Sequence, residues 1–154
     1  MEQICVSSVG KTLRNELKHL VANILASVLF YKSSHHVIGA LVVFVVAMFM
    51  DVDHLVDYGL YCIRDKQWPR LSEFLSGQYF KKWQKFVCPL HAWEIAIVAL
   101  IAWSFFPACL YYPAVVLGIV THLVVDYYTN TVNRVAYFFC FRAYHSFHKP
   151  AIAP

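Results

Sequence analysis

The sequence predicts an all-α protein, a polytopic membrane helical bundle with about four transmembrane helices and one or two interfacial helices. Hydrophobic residues make up 60% of its 154 residues, against roughly 45–50% in soluble proteins. Charged residues make up 14%, against about 25%. This composition excludes a disordered chain, a coiled coil and a nucleic-acid-binding protein, and it leaves too little polar material to coat a soluble domain. We therefore expect one membrane-embedded domain over residues 1–154, with lipids as its surroundings.

Four apolar stretches define the predicted spans. They cover residues 17–31, 37–58, 91–110 and 113–128. A full span needs about 20 residues, so each helix must include polar residues at one end. Buried helices of a soluble bundle are the competing interpretation. The charged segment before the first stretch lacks a clear small-residue cleavage site, so no signal peptide is predicted.

The positive charges orient these spans. If all four cross, twelve of the 13 Lys and Arg residues lie on one side, and only Lys32 lies on the other. The positive-inside rule then places the protein in the cell (inner) membrane with both termini on the cytoplasmic side.

Two further segments look interfacial rather than spanning. Residues 68–86 mix aromatic side chains with Lys81, Lys82 and Lys85, which is typical of a helix lying on an anionic leaflet. The same lysines are candidates for binding a substrate phosphate. Residues 134–148 are aromatic with spaced positive charge, and a short re-entrant helix is an alternative there.

Acidic and histidine side chains gather at the cytoplasmic ends of the predicted spans. Successive spans alternate in direction. The first and third spans therefore begin at the cytoplasmic boundary, and the second and fourth end there. Polar groups in lipid are costly and usually functional. The candidate metal ligands are His19, Asp51, Asp53, His54, His91, His122 and Asp126, with Asp57 and Glu94 as additional or supporting groups.

The spacing of these residues supports a shared site. His122 and Asp126 are four residues apart and therefore lie on one helix face. Asp51 and Asp53 would diverge by about 160° on a regular helix. Both can reach one centre only if the helix loosens there, or if they serve different ions.

Imidazole and carboxylate groups together form a divalent-metal environment, suited here to Zn, Mn or Fe. So many groups predict two ions about 3.5–4 Å apart, an arrangement suited to phosphoester hydrolysis. Glu94 and Asp53 are the predicted catalytic residues, with Glu94 as general base or bridging ligand because it lies one turn from His91.

Two other interpretations stay open. The polar residues can form a structural metal site or a buried network that locks the helices, or they can belong to an ion or proton pathway. His35 and His36 fall in the loop on the far side and are expected to be solvated. His145 and His148 are candidates for additional ligands. The five scattered cysteines are expected to be small buried residues.

The order of these motifs resembles the YdjM-like inner-membrane metal-dependent hydrolases. The resemblance covers about residues 17–130 and is carried by FMDVDH and LGIVTHLVVDYYT. It implies a metal site built from the seven candidate ligands named above. Met50 stands where the family has Pro, and FVCPLH replaces the family's HRG element upstream of the third helix. Glu94 is the candidate to replace that missing histidine as metal ligand or base.

Overall fold

The computed structural model describes residues 2–130 and 133–148, and all regular structure in this part of the chain is helical. This confirms the predicted all-α class. The α-helices are α1 (Glu2–Ser34), α2 (Val37–Phe49), α3 (Asp53–Arg64), α4 (Leu71–Leu75), α5 (Tyr79–Trp83), α6 (Trp93–Phe105), α7 (Tyr111–Thr129) and α8 (Phe139–Tyr144). Short 3₁₀ turns cover Met50–Val52 and Arg134–Tyr137. Lys149, which enters the charge count, lies outside the described residues.

The first two long helices are joined by a tight connection at His35 and His36. His35 adopts a left-handed conformation with φ 53°, which ends α1 after Ser34. His36 then caps α2, because its Nδ1 accepts a hydrogen bond from the Gly39 amide at 2.8 Å. His36 also packs edge-on against Tyr111. The far-side histidines therefore shape the α1–α2 connection, and His36 is half-buried rather than solvated.

A 3₁₀ turn interrupts the second apolar stretch where the acidic residues begin. The α-helix gives way to the turn Met50–Val52 and resumes at Asp53. A tighter turn changes the angle between successive side chains, so Asp51 and Asp53 need not diverge as they would on a regular helix. The predicted loosening is present without a proline.

Helix α7 lies at the centre of the bundle and packs against α1, α2 and α6. One apolar cluster, of Ala26, Phe30, Val43 and Ala114, joins α1, α2 and α7. A second, around Ile119 and Leu123, joins α7 to α6. Gly118 lets α7 approach α2 closely, because a Cβ there would stand 2.9 Å from the Val43 carbonyl. This packing brings four chain segments together at one end of α7.

The outer faces of the long helices are apolar. Leu29 of α1, Leu41 of α2 and Val98 of α6 are 65%, 57% and 65% exposed. Among the described residues, one continuous helical stretch, Val37–Arg64, is long and apolar enough to cross a membrane, and Trp93–Phe105 is a shorter apolar helix. The core helix of a soluble protein can have the same length and composition as a membrane span. In Val37–Arg64, however, only 28% of the most apolar window is buried.

The segment predicted as one interfacial helix over residues 68–86 forms two short helices, α4 and α5. They fold onto α3 through an aromatic cluster of Tyr58, Tyr61, Tyr79 and Trp83. The segment 134–148 forms a 3₁₀ turn and α8. It reaches back to residues 85 and 86 through a bridge between Lys85 and His148 and a hydrogen bond from the Phe86 amide to the Phe147 carbonyl.

Candidate metal centre

His91 and His122 form the core of the polar site. His122 is fully buried, and its Nδ1 lies 2.8 Å from the Ala47 carbonyl oxygen. A carbonyl can only accept, so Nδ1 carries the hydrogen and Nε2 presents a lone pair. The Nδ1 of His91 is held in the same way by Asp53, and the two Nε2 atoms face each other at 3.1 Å. Two lone pairs at this distance require a shared proton or cation.

Asp51 joins three imidazoles at one carboxylate oxygen. Its Oδ1 lies 3.2 Å from Nε2 of His91, 3.4 Å from Nε2 of His54 and 3.5 Å from Nε2 of His122. The 3₁₀ turn Met50–Val52 carries it to this position. With 32% of its side chain exposed, Asp51 is more accessible than His91 and His122.

Asp126 approaches the same point from α7. Its Oδ2 lies 3.3 Å from Nε2 of His91 and 3.7 Å from Nε2 of His122. Its Oδ1 is held by His19 at 3.1 Å and by the Asn130 amide at 2.9 Å. His19 therefore joins the site through Asp126 and also stacks on His122, with ring centroids 4.4 Å apart. Asn130, four residues after Asp126, was not among the predicted site residues, although the i,i+4 spacing is its signal.

Asp53 lies behind His91 rather than beside the cavity. Its Oδ1 is 2.9 Å from Nδ1 of His91, and its Oδ2 accepts from the amides of Leu90 and His91. It is 2% exposed. This is the place of a group that fixes the orientation of a ligating imidazole. Asp53, predicted as a catalytic residue and a metal ligand, does not line the cavity.

Cys88 links the two remaining polar residues of α3. Its Sγ lies 3.2 Å from Nδ1 of His54 and 3.2 Å from Oδ2 of Asp57. Asp57 is fully buried and also accepts from the Val87 amide. Burial, with Asp53 and Asp57 nearby, raises the pKa of the Cys88 thiol well above its usual value. Asp57 therefore supports the loop before His91, and Cys88 is a site residue that sequence reasoning treated as ordinary packing.

Glu94 is not part of this cluster, which corrects its predicted role as general base or bridging ligand. Its carboxylate accepts from the amides of Phe139 and Cys140 at 2.9 and 3.0 Å. These amides begin α8, where hydrogen-bond donors lack helical partners. Glu94 thus caps the C-terminal helix from α6, and the i,i+3 relation to His91 does not bring it to the site.

The three lysines predicted to bind phosphate do not share one site. Lys82 pairs with Glu73, with Nζ 2.7 Å from Oε1, and Lys81 is exposed away from the cavity described below. Lys85 lines that cavity. The predicted phosphate site is therefore reduced to Lys85.

Arg142 of α8 is the largest fully buried side chain among the described residues. It donates to the carbonyls of Cys88 and His91, both at 3.0 Å, and so clamps the loop that carries His91. The predicted extra ligands His145 and His148 face outward: His148 is exposed, and its Nδ1 lies 3.3 Å from the His145 carbonyl. The C-terminal segment contributes the arginine rather than histidines.

A cavity of about 730 Å³ opens beside the cluster. Asp51, His54, His91, His19 and Asp126 form part of its wall. Most of the remaining wall is apolar or aromatic and comes from α1, α3 and the α4–α5 segment, including Leu13, Leu55, Leu75, Phe80 and Phe86.

The donor atoms fit a metal ion by chemistry and by spacing. Three overlapping sets bring ligand atoms within 4.8 Å of one another: Asp51, His91, His122; His19, His122, Asp126; and Asp53, His54, Cys88, His91. Two imidazole nitrogens bound to one tetrahedral Zn ion at about 2.0–2.1 Å lie roughly 3.3 Å apart, close to the separation between His91 and His122. All seven predicted ligands belong to at least one of these sets, and Asp53 also supports His91.

Comparison of the chain with protein-family models, with curated proteins and with solved structures finds no match.

Proposed function

We propose that this protein is a membrane-embedded, metal-dependent hydrolase of a phosphoester or related ester bond in a lipid or lipid-linked substrate. The observation that carries the proposal is the pair of facing Nε2 atoms of His91 and His122, 3.1 Å apart. Each ring donates its Nδ1 hydrogen elsewhere, so neither can donate to the other while both are neutral. Two carboxylates, Asp51 and Asp126, add negative charge at the same point. A divalent cation satisfies all four groups at once.

The apolar outer faces support a membrane location. Exposed aliphatic side chains cover α1, α2 and α6, which in water would expose far more apolar surface than a soluble monomer tolerates. The charge asymmetry supports four spans, with the helices of residues 17–31, 37–58, 91–110 and 113–128 crossing and both termini in the cytoplasm. The metal centre then lies at the cytoplasmic boundary of the inner membrane.

The cavity supports an amphipathic substrate. Its apolar wall suits an acyl or isoprenoid chain, while its polar wall is the metal centre itself. Lys85 also lines the cavity and can pair with a phosphate oxygen. A lipid phosphoester has a polar bond next to an apolar chain, so it matches a cavity with one polar and one apolar wall.

Some side chains of the site would hold the metal, and others would take part in the reaction. His91, His122 and Asp126 are buried and would hold the metal, with Asp53, Asn130 and His19 fixing their orientation. A divalent ion held there, or two ions in the two-ion form, would supply polarisation of a phosphoryl oxygen and a lower pKa for bound water. Asp51 is half-exposed and lines the cavity. Its Oδ1 faces the histidines, so its Oδ2 is the atom that could accept a proton from an attacking water. This role replaces the one expected for Glu94.

A structural role is the second candidate, and one observation favours it. The cluster ties α1, the 3₁₀ turn, the loop before α6 and α7 together, as a polar lock between helices would. The resemblance of FMDVDH and LGIVTHLVVDYYT to motifs of the YdjM-like hydrolases favours the enzyme, although Met50 and FVCPLH depart from that family's pattern.

Measuring hydrolysis by a variant of Asp51, the acid that faces the cavity, distinguishes the enzyme from the structural role. The purified protein, loaded with Zn, Mn or Fe(II), is assayed for phosphate or alcohol release from lipid phosphoesters in mixed micelles. We expect turnover to fall by more than about 100-fold in Asp51→Asn, since even outer-shell partners are worth about 10–100-fold. His35→Ala, an exposed far-side histidine, is the matched control and should keep full activity. A folded, metal-loaded protein with no turnover on any phosphoester would favour the structural role.

Topology is tested separately by labelling single cysteines introduced at residues 35 and 130. The proposal expects residue 35 to react from the periplasm and residue 130 from the cytoplasm. Labelling of both from one side would contradict the four-span arrangement.

A further inference from the structure

A second ligand set lies directly behind the candidate metal centre. It contains Asp53, His54, Cys88 and His91, whose ligand atoms lie within 4.8 Å of one another. Three of the four are buried, with Asp53 2%, Cys88 0% and His91 1% exposed. This set shares His91 with the first set and contains a thiol, which the first set lacks.

The thiol of Cys88 is aimed at an imidazole nitrogen. Its Sγ lies 3.2 Å from Nδ1 of His54, while Nε2 of the same ring lies 3.4 Å from Asp51 Oδ1. His54 therefore has one nitrogen toward each ligand set. His91 does likewise, with Nδ1 toward Asp53 and Nε2 toward Asp51.

The loop that carries Cys88 is fixed from two sides. Asp57 accepts from the Val87 amide at 3.1 Å, and Arg142 donates to the Cys88 carbonyl at 3.0 Å. Such support holds a ligand in place before an ion arrives.

We propose that Cys88 is a thiolate ligand of a second metal ion, completed by Nδ1 of His54 and the Asp53 carboxylate, with His91 joining the two sites through its Nδ1 hydrogen bond to Asp53. This inference rests on the proposed metal centre, since His91 belongs to both ligand sets. It names the class of metal: a thiolate in the set favours Zn, Fe(II) or Co(II) over the hard cations Mg, Ca and Mn.

Ion binding at this position displaces the thiol proton. The metal–sulfur bond replaces the S–H bond, and the proton passes to the Asp57 carboxylate, whose Oδ2 lies 3.2 Å from Sγ. No oxidation occurs, Asp57 holds the displaced proton, and His91 keeps its Nδ1 hydrogen on Asp53. Asp57 thereby gains a role at this second site, although it contacts no candidate ligand except Cys88.

A nucleophilic thiol is the alternative, because Cys88, His54 and Asp51 are connected in the order of a Cys–His–Asp triad. Burial weighs against it. Cys88 is fully buried and lies outside the residues that line the cavity, whereas His54 and Asp51 line it. A metal ion can reach a buried thiol between two imidazoles, but a lipid phosphoester cannot.

Cobalt is the probe that tests this proposal. The full-length protein in detergent is loaded with Co(II), and its absorption spectrum and cobalt content are measured. We expect about two equivalents and a near-ultraviolet thiolate-to-cobalt band in the wild type. Cys88→Ser should lose the band and about one equivalent while it keeps the first. Cys62→Ser, another buried cysteine, is the matched control and should keep both.

The outcomes separate this proposal from the one on which it rests. A band that survives in Cys88→Ser, or one equivalent without a band in the wild type, overturns the thiolate site and leaves the metal centre standing. No cobalt binding at all contradicts the metal centre too. A covalent substrate adduct on Cys88, detected by mass spectrometry, overturns the thiolate site in favour of the nucleophile. Should Cys88→Ser fail to fold, X-ray absorption of the wild-type Zn protein decides, since a sulfur ligand appears at about 2.3 Å.

Discussion

The Nε2 atoms of His91 and His122 lie 3.1 Å apart with their Nδ1 atoms engaged elsewhere. One ring comes from the loop before α6 and the other from the middle of α7, 31 residues apart in the chain. Such a pair is repulsive without a proton or cation between the rings. The two segments are nevertheless packed together, so the stability of the bundle should depend on what occupies this point.

Removing the metal is therefore expected to destabilise the protein. A ligand that binds only the folded state at 100 times its dissociation constant adds about 2.7 kcal/mol, so a chelator should lower the unfolding midpoint by several degrees. His122→Ala should abolish this chelator effect and lower the metal content, whereas His35→Ala should behave as the wild type. Differential scanning fluorimetry with elemental analysis measures both. Equal metal content in His122→Ala and wild type would contradict the assigned ligand.

The sequence was sufficient to predict the helices and most of the cluster, because both follow from periodic and local signals. Each of the four apolar stretches contains a helix of the bundle, although the third extends beyond α6 at both ends. The i,i+4 spacing placed His122 beside Asp126, as the structure has them. The alternation of helix direction brought His19 and His91 to the same place. These inferences needed no knowledge of side-chain rotamers.

Glu94 shows where such reasoning fails. Its spacing from His91 suggested a common helix face, but α6 begins only at Trp93, so His91 lies in the preceding loop. Helical periodicity does not apply across a helix start. Cys88 and Arg142 were missed for a related reason: their contacts depend on how an irregular loop and a C-terminal segment meet, and neither carries a periodic signal.

Arg142 should control metal affinity through the loop it clamps. Arg142→Met leaves the carbonyls of Cys88 and His91 buried without donors, each costing about 1–3 kcal/mol. We expect a lower unfolding midpoint and metal binding weakened by about 10–100-fold, the usual effect of an outer-shell loss. Arg142→Lys retains the charge but cannot bridge both carbonyls with a planar fork, so it should give an intermediate affinity. Isothermal titration with Zn tests this, and unchanged affinity in both variants would contradict the clamp.

Glu94 should matter for stability and not for catalysis. Glu94→Ala removes the acceptor for two amides at the start of α8, and capping losses cost about 0.5–2 kcal/mol. We expect a lower unfolding midpoint with the turnover of the remaining folded protein unchanged. Comparing kcat with folded fraction separates the two effects. A selective loss of kcat, with the midpoint unchanged, would restore Glu94 to the catalytic machinery.

The Glu73–Lys82 pair should contribute an acid-sensitive part of the stability. The hydrogen bond from Lys82 lowers the pKa of Glu73, with help from Tyr61. Because the folded pKa is the lower one, this stability is present above the unfolded carboxyl pKa of about 4.3 and is lost as pH falls through the folded value. Lys82 is 59% exposed, so the contribution is below about 1 kcal/mol.

Glu73→Gln tests this contribution, because an amide cannot titrate. We expect the variant to be slightly less stable than the wild type at neutral pH and the difference to shrink as the pH falls below 4. Lys82→Met should reduce the same difference. Unfolding midpoints measured across the acid range give the answer, and a stability difference that is independent of pH would show that the pair contributes no titratable stability.

Gly118 should be a sensitive glycine of the bundle, because it sets the distance between α2 and α7. A Cβ at Gly118 would stand 2.9 Å from the Val43 carbonyl oxygen and 3.0 Å from the Val46 side chain. The oxygen belongs to a helix backbone and cannot move aside, so Gly118→Ala should push the helices apart at a cost of about 1–3 kcal/mol. His122 lies one turn further along α7 and bonds the Ala47 carbonyl of α2, so the same shift should also weaken metal binding.

Gly59→Ala is the matched control for this change, since a Cβ at Gly59 meets nothing within 4 Å. Alanine there should leave metal binding unchanged and stabilise α3 by about 0.5–1 kcal/mol, because glycine loses more backbone entropy in a helix. Thermal unfolding and Zn titration of the two variants measure both effects. If Gly118→Ala matched Gly59→Ala in both measurements, the close approach of α2 and α7 could not be what aligns His122 with the site.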